Sequence, residues 1–135
     1  LATACTSATA PSGSLVGQWI ATSIVIVNPA NSAQRIDLMA LGARDTLTLT
    51  ATTYAFSQNG ESRFESGTWT QSGTNLLCTL GMTTFTQSVP FALTNGNSTL
   101  TLSAPTDPGT FYQFVDWNND NIDDPATQVI VFARN

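Results

Sequence analysis

The apolar and polar positions of this chain follow a two-residue beat for most of its length. The longest uncharged β-type run, Leu15-Val16-Gly17-Gln18-Trp19-Ile20-Ala21-Thr22-Ser23-Ile24-Val25-Ile26-Val27, is rich in β-branched residues and predicts the opening strand. Asn28-Pro29-Ala30-Asn31-Ser32 then reads as a loop, because proline donates nothing to a ladder and asparagine favours turns. Ile36, Leu38 and Ala40 alternate with Arg35, Asp37 and Met39 as a second strand, which Gly42-Ala43-Arg44-Asp45 breaks. Thr46-Leu47-Thr48-Leu49-Thr50 alternates so regularly that one face must be buried and the other wet, and Tyr54 and Phe56 continue the pattern.

Asn59-Gly60 is a tight-hairpin signal that sends the chain back through Arg63 to Trp69. Ser72-Gly73-Thr74-Asn75 turns into Leu76-Leu77-Cys78-Thr79-Leu80, and beyond Gly81 the residues Phe85, Gln87, Val89, Phe91 and Leu93 fall on one face. Asn95-Gly96-Asn97 turns again into Thr99-Leu100-Thr101-Leu102, followed by a Pro and Gly stretch at 105–109. Phe111 to Val115 and Thr127 to Ala133 complete the strands. No window carries helical spacing with caps. Strands joined in order by short Gly and Asn turns make an antiparallel meander, and closing the first strand on the last removes its unpaired edges. The expectation is an all-β, up-and-down antiparallel β-barrel of about eight strands, with a two-sheet β-sandwich as the alternative because strand signals do not report closure. Residues 1–14, rich in Ala, Thr, Ser, Pro and Gly, read as a leader or tether to a domain at 15–135.

Composition narrows the class of protein. Of the 135 residues 41% are hydrophobic and only 10% charged, which favours a packed sheet over disorder. Four arginines, no lysine and no histidine leave a net charge of −5 and a pI near 4.1. Such a chain has no basic patch for phosphate backbones, so nucleic acid and anionic membranes are poor partners and cations better ones. No apolar run reaches the ~18 residues of a membrane-spanning helix, and a secreted or cell-surface protein is expected. Leu1-Ala2-Thr3-Ala4-Cys5 resembles the end of a bacterial lipoprotein signal, with Ala2 where leucine is usual. The two cysteines, Cys5 and Cys78, could form a disulfide contributing ~3–5 kcal/mol, or be unrelated thiols with Cys78 a small buried hydrophobe.

Leu15-Val16-Gly17-Gln18-Trp19, and later Gly67-Thr68-Trp69, resemble the Gly-x-Trp pattern of the lipocalins in the wide, calycin sense, and more closely short bacterial lipocalin-like proteins. The similarity spans residues 15–134. It implies that Trp19 closes the bottom of the barrel with Arg134 lying across its ring, and that Gly17 marks the motif's start. A guanidinium over an indole face is worth ~0.5–2 kcal/mol and would join the two ends of the domain. The family's second motif, a Thr-Asp-Tyr run, and its C-terminal helix have no counterpart. Binding of a small apolar ligand is implied by the resemblance, unless Tyr54, Phe56, Trp69, Phe85 and Phe91 fill the barrel themselves.

Four of the nine acidic residues crowd into Asp116-Trp117-Asn118-Asn119-Asp120-Asn121-Ile122-Asp123-Asp124. Oxygen side chains at alternate positions, a turn-tolerant residue after the third and a closing carboxylate suit a hard Ca²⁺ ion. The run resembles Asp-x-Asp-x-Asp-Gly calcium loops. On that pattern Asp116, Asn118 and Asp120 offer side chains, Ile122 its carbonyl and Asp124 a closing carboxylate, with Asn121 in the left-handed position that glycine usually takes. The alternative is a solvated polar turn. An EF-hand proper is excluded by the short loop and missing helices.

Lacking His and Lys, the chain has no histidine base for a nucleophile, no Schiff-base lysine and no Walker loop, which argues against an enzyme. Glu61 and Glu65 flank the Asn59-Gly60 hairpin and could pair as carboxylates, but are expected to be surface charges near Arg63. Asn97-Ser98-Thr99 is a glycosylation sequon. Two functions follow: a non-enzymatic carrier of a small hydrophobic molecule with a structural calcium loop, or a subunit of an extracellular fibre or surface layer whose residues 1–14 contact a neighbouring copy.

Overall fold

The computed structural model describes the backbone of residues 15–59, 63–106 and 115–135. Nine strands form one sheet: β1 (Gly17–Asn28), β2 (Asn31–Asp37), β3 (Asp45–Leu49), β4 (Thr53–Gln58), β5 (Arg63–Ser72), β6 (Asn75–Leu80), β7 (Thr86–Thr94), β8 (Thr99–Thr106) and β9 (Ala126–Arg134). Every neighbouring pair is antiparallel, and β1 pairs with β9 from Trp19 opposite Arg134 to Val27 opposite Thr127. That pairing closes the sheet, so the domain is a barrel of eight staves with one extra strand and not a sandwich. Among the described residues there is no α-helix.

The extra strand arises because β2 and β3 share one edge of β1. Val25 to Asn28 pair with β2, whereas Gly17 to Ile20 pair with β3. The expected second strand therefore ends at Asp37, short of Leu38 and Ala40. Asp37 Oδ1 accepts hydrogen bonds from the Met39 and Ala40 N–H groups, at 3.0 and 3.2 Å, and this local turn outcompetes the ladder. Leu38 still folds inward as part of the core.

β1 carries a second irregularity. Its register against β9 slips at Thr22, so Trp19 and Ala21 point inward before the slip and Ile24 and Ile26 after it. Such a bulge inserts one residue and bends the strand, which a closed barrel requires. The remaining strands place Leu47 and Leu49, Tyr54, Trp69, Leu76, Phe91, Leu100, Ile130 and Phe132 in one continuous core.

Turn chemistry follows the sequence closely. Asn59, Asn95 and Asn97 take φ of 52°, 52° and 66°, and Gly73 takes 61° in the turn between β5 and β6. Gly67 serves a different purpose: a Cβ there would lie 1.9 Å from the Thr79 carbonyl oxygen, so only glycine lets β5 and β6 approach this closely. Phe85, expected inside with Phe91, is instead 63% exposed. It precedes β7, in the Gly81 to Phe85 turn, where the alternation has no sheet to act on.

Candidate functional site

One end of the barrel is closed by its own side chains. At the end where β1 begins and β9 finishes, Leu15, Trp19, Leu100 and Phe132 are all 0% exposed. Trp19 Nε1 donates to the Leu15 carbonyl at 2.9 Å, which folds the segment before β1 beneath the indole. Arg134 lies over the ring, its Cζ 4.2 Å from the centroid. Its Nη1 donates to Val16 O at 2.9 Å and its Nη2 to Asn97 O at 3.0 Å, tying β9 to the start of β1 and to the turn between β7 and β8. Gly17, at φ 143°, makes this possible, because a Cβ there would stand 3.0 Å from Nη1. Gly17, Trp19 and Arg134 thus form one closing device.

Farther along the barrel Ile24, Ile26 and Ala126 stay buried, but one part of the wall is less so. Phe56, Glu65, Cys78 and Leu102 lie on the inward face yet remain only half-buried, with Phe56, Cys78 and Leu102 packed against the core from above. Glu65 corrects the sequence reading, which placed it on the surface. On β5 it shares a face with Gly67 and Trp69, and the Tyr54 hydroxyl donates to its Oε1 at 2.7 Å. Only the hydrophobic members of that face were legible as inward. Its would-be partner Glu61 lies outside the described residues.

Cys78, opposite Trp69 on β6, is a free thiol. Burial, and then the nearby Glu65 carboxylate, push its pKa up to about 11, so it stays protonated at neutral pH. Cys5 lies outside the described residues. Asp45, read as part of a loop, is the first residue of β3 and only 2% exposed, because it shares the inward face of Leu47 and Leu49.

The acidic loop lies at the end opposite Trp19, between β8 and β9. Val115 and Asp124 pair as an isolated antiparallel bridge at its base. Asp116 Oδ1 accepts from the Asp120 N–H at 3.1 Å and Oδ2 from the Asn121 N–H at 2.8 Å. Asn118 Oδ1 accepts from Asp120 N–H, Asp120 Oδ1 from Ile122 N–H, and Asp124 Oδ2 from Trp117 N–H. Desolvation raises the Asp116 pKa, but the N–H groups of Asn121, Asp120, Asn119 and Asn118 outweigh it and hold the carboxyl below its usual range. Asn121 takes φ 67°, the left-handed conformation expected of it. Among the described residues, no three His, Cys, Asp or Glu side chains converge into a chelating group on their own.

Trp117 was not singled out from the sequence. Its Nε1 donates to Pro125 O at 3.1 Å and its carbonyl accepts from Gln34 Nε2, so it staples the loop to β2. A shallow groove of about 300 Å³ opens beside it, lined by Asn28, Pro29, Trp117, Asn118, Asp124 and Pro125. A large aromatic inside an acidic run was the available signal.

Compared with known proteins, the chain matches no family model, no curated protein and no solved structure. Among the described residues no helix is long and apolar enough to cross a membrane.

Proposed function

We propose that this domain is a non-enzymatic, extracellular, lipocalin-like carrier that takes a small apolar molecule against the less buried part of its barrel wall. The observation that supports it is a break in the burial of the inward wall: beside completely buried side chains such as Trp19, Ile24 and Phe132, inward-facing Phe56, Cys78 and Leu102 are still reached by solvent. Apolar side chains left accessible inside a concave wall are what a hydrophobic ligand covers. A neutral fluorescent probe such as N-phenyl-1-naphthylamine is expected to bind saturably at one site, and Cys78→Phe to abolish that binding by filling the space. No saturable binding to the unmutated chain sinks the carrier.

The same proposal gives residues 116–124 a structural calcium ion. The residues fit it: Asp116, Asn118, Asp120 and Asp124 supply hard oxygen donors, Ile122 a carbonyl, and Asn121 already holds the left-handed turn such loops need. Bound there, the ion would neutralise the crowded carboxylates and fix the loop that Trp117 pins to the mouth. Affinity of order 10⁻⁴–10⁻³ M is expected, as in extracellular calcium modules. Calorimetry with the unmutated chain and Asp120→Ala tests it, and no heat at millimolar Ca²⁺ ends it.

One feature favours the second reading, a subunit of a fibre or surface layer. β2 pairs with β1 alone, leaving its outer edge without a strand partner among the described residues. Such an edge can accept an extended segment from a neighbouring copy, and residues 1–14 are the candidate donor. Electron microscopy of the chain with and without them distinguishes the two, since monodisperse particles from both exclude the fibre.

A further inference from the structure

We propose that the barrel selects a small organic ammonium, an amine with an apolar body, which Glu65 receives through its carboxylate; this rests on the carrier reading above. The Glu65 side chain sits on the inward face of β5, half-buried, directly opposite Phe56 on β4. Tyr54 lies one inward position nearer the floor on β4, and Trp69 two positions nearer on β5.

Glu65 is half-buried beside apolar side chains, and Tyr54 occupies only one of about four hydrogen-bond acceptor sites on its carboxylate. The Tyr54 bond also fixes the carboxylate's orientation, so little further ordering is needed when a ligand arrives. Aromatic faces beside an anion are the environment that attracts a partly desolvated ammonium, through cation–π contact on one side and a charge-assisted hydrogen bond on the other.

The floor is filled by Leu15, Trp19 and Phe132, so the apolar body must extend toward the mouth, along Leu80 and Leu102, and a short ligand is favoured over a long chain.

Calorimetric titration of the full chain with hexylammonium, hexanol and hexanoate, matched in length and differing in charge, tests the proposal. Hexylammonium is expected to bind about tenfold or more tightly than hexanol, with hexanoate weakest. Glu65→Gln is expected to remove the amine's advantage, bringing hexylammonium to about the affinity that the same variant shows for hexanol. If hexanol binds and the amine binds no tighter, or if Glu65→Gln keeps the preference, the ammonium assignment falls and the carrier stands. If none of the three binds, the carrier falls and takes this inference with it. The net charge of −5 attracts amines to the surface as well. Amide shift mapping on the unmutated chain, which needs no folded variant, must therefore place hexylammonium at Phe56, Glu65 and Trp69, and shifts confined to the outer surface overturn the proposal.

Discussion

Arg134 rests its guanidinium 4.2 Å above the ring of Trp19, although the two residues stand near opposite ends of the domain. The arginine also holds two backbone carbonyls, those of Val16 and Asn97. Arg134→Ala is expected to cost about 1–3 kcal/mol, from the lost cation–π contact and hydrogen bonds. Urea unfolding followed by tryptophan emission measures it, and a red shift of the native spectrum is expected because Trp19 loses its cover. Gly17→Ala should cost a similar amount, since its φ of 143° strains any side chain and its Cβ would push Nη1 away.

Gly67 and Gly73 offer a contrast between space and conformation. Gly67→Ala drives a Cβ into the Thr79 carbonyl, so β5 and β6 must separate, and a loss of about 3 kcal/mol or more is expected. At Gly73 nothing lies within 4 Å, and Gly73→Ala should cost only about 1 kcal/mol, from the φ of 61° alone. Thermal melts of the two variants side by side check the order.

The loop at 116–124 carries two expectations. With a dissociation constant of about 10⁻⁴ M, Ca²⁺ at 10 mM, roughly a hundredfold excess over it, should stabilise the domain by about 2.7 kcal/mol, and chelator should reverse the gain. Differential scanning calorimetry reads this directly. In the absence of calcium, Asp116 sets an acid limit: its folded pKa lies below the ordinary 3.8, so the stability it lends is complete above that value and is lost as pH falls through the lowered one. Faster amide exchange at Asp120 and Asn121 in that window is the expected signature.

Cys78 behaves in the opposite sense. Its folded pKa is raised from 9.0 to about 11, so the unfolded chain loses the thiol proton first. The stability associated with the protonated thiol is full below pH 9 and is lost as pH rises toward 11. At pH 8 the native chain should therefore react slowly with Ellman's reagent and quickly once unfolded in urea, and Glu65→Gln should speed the native reaction.

Much of this architecture was legible because turn residues and alternation are local. Asn59, Gly73 and Asn95 mark turns wherever they occur, and Thr46 to Thr50 declare a two-faced strand without reference to anything distant. Trp19 and Arg134 were readable only through their resemblance to a known pattern. The rest depends on partners far along the chain. Nothing near Thr22 announces that β9 will slip there, and nothing near Phe85 says that its alternation has run past the end of a strand. Asp45 and Glu65 are inward for the same reason as Leu47 and Trp69, but hydrophobicity is the signal that marks an inward face, and a polar residue there is invisible to it. The lumen's chemistry was hidden for that reason, whereas the loop's candidate ligands, crowded into one short run, were plain.

Joining β1 to β9 has a consequence for how the molecule comes into being. The bond from Arg134 to Val16 links residues 118 apart in sequence, so ring closure must wait until β9 has left the ribosome. Until then the nascent ribbon exposes β1 along the edge that β9 will cover, and the free side of β8 at its far margin. Folding should be slow for a domain this small, and the vulnerable period, when a chaperone or another unfinished chain can seize an edge, lasts until its final stave arrives.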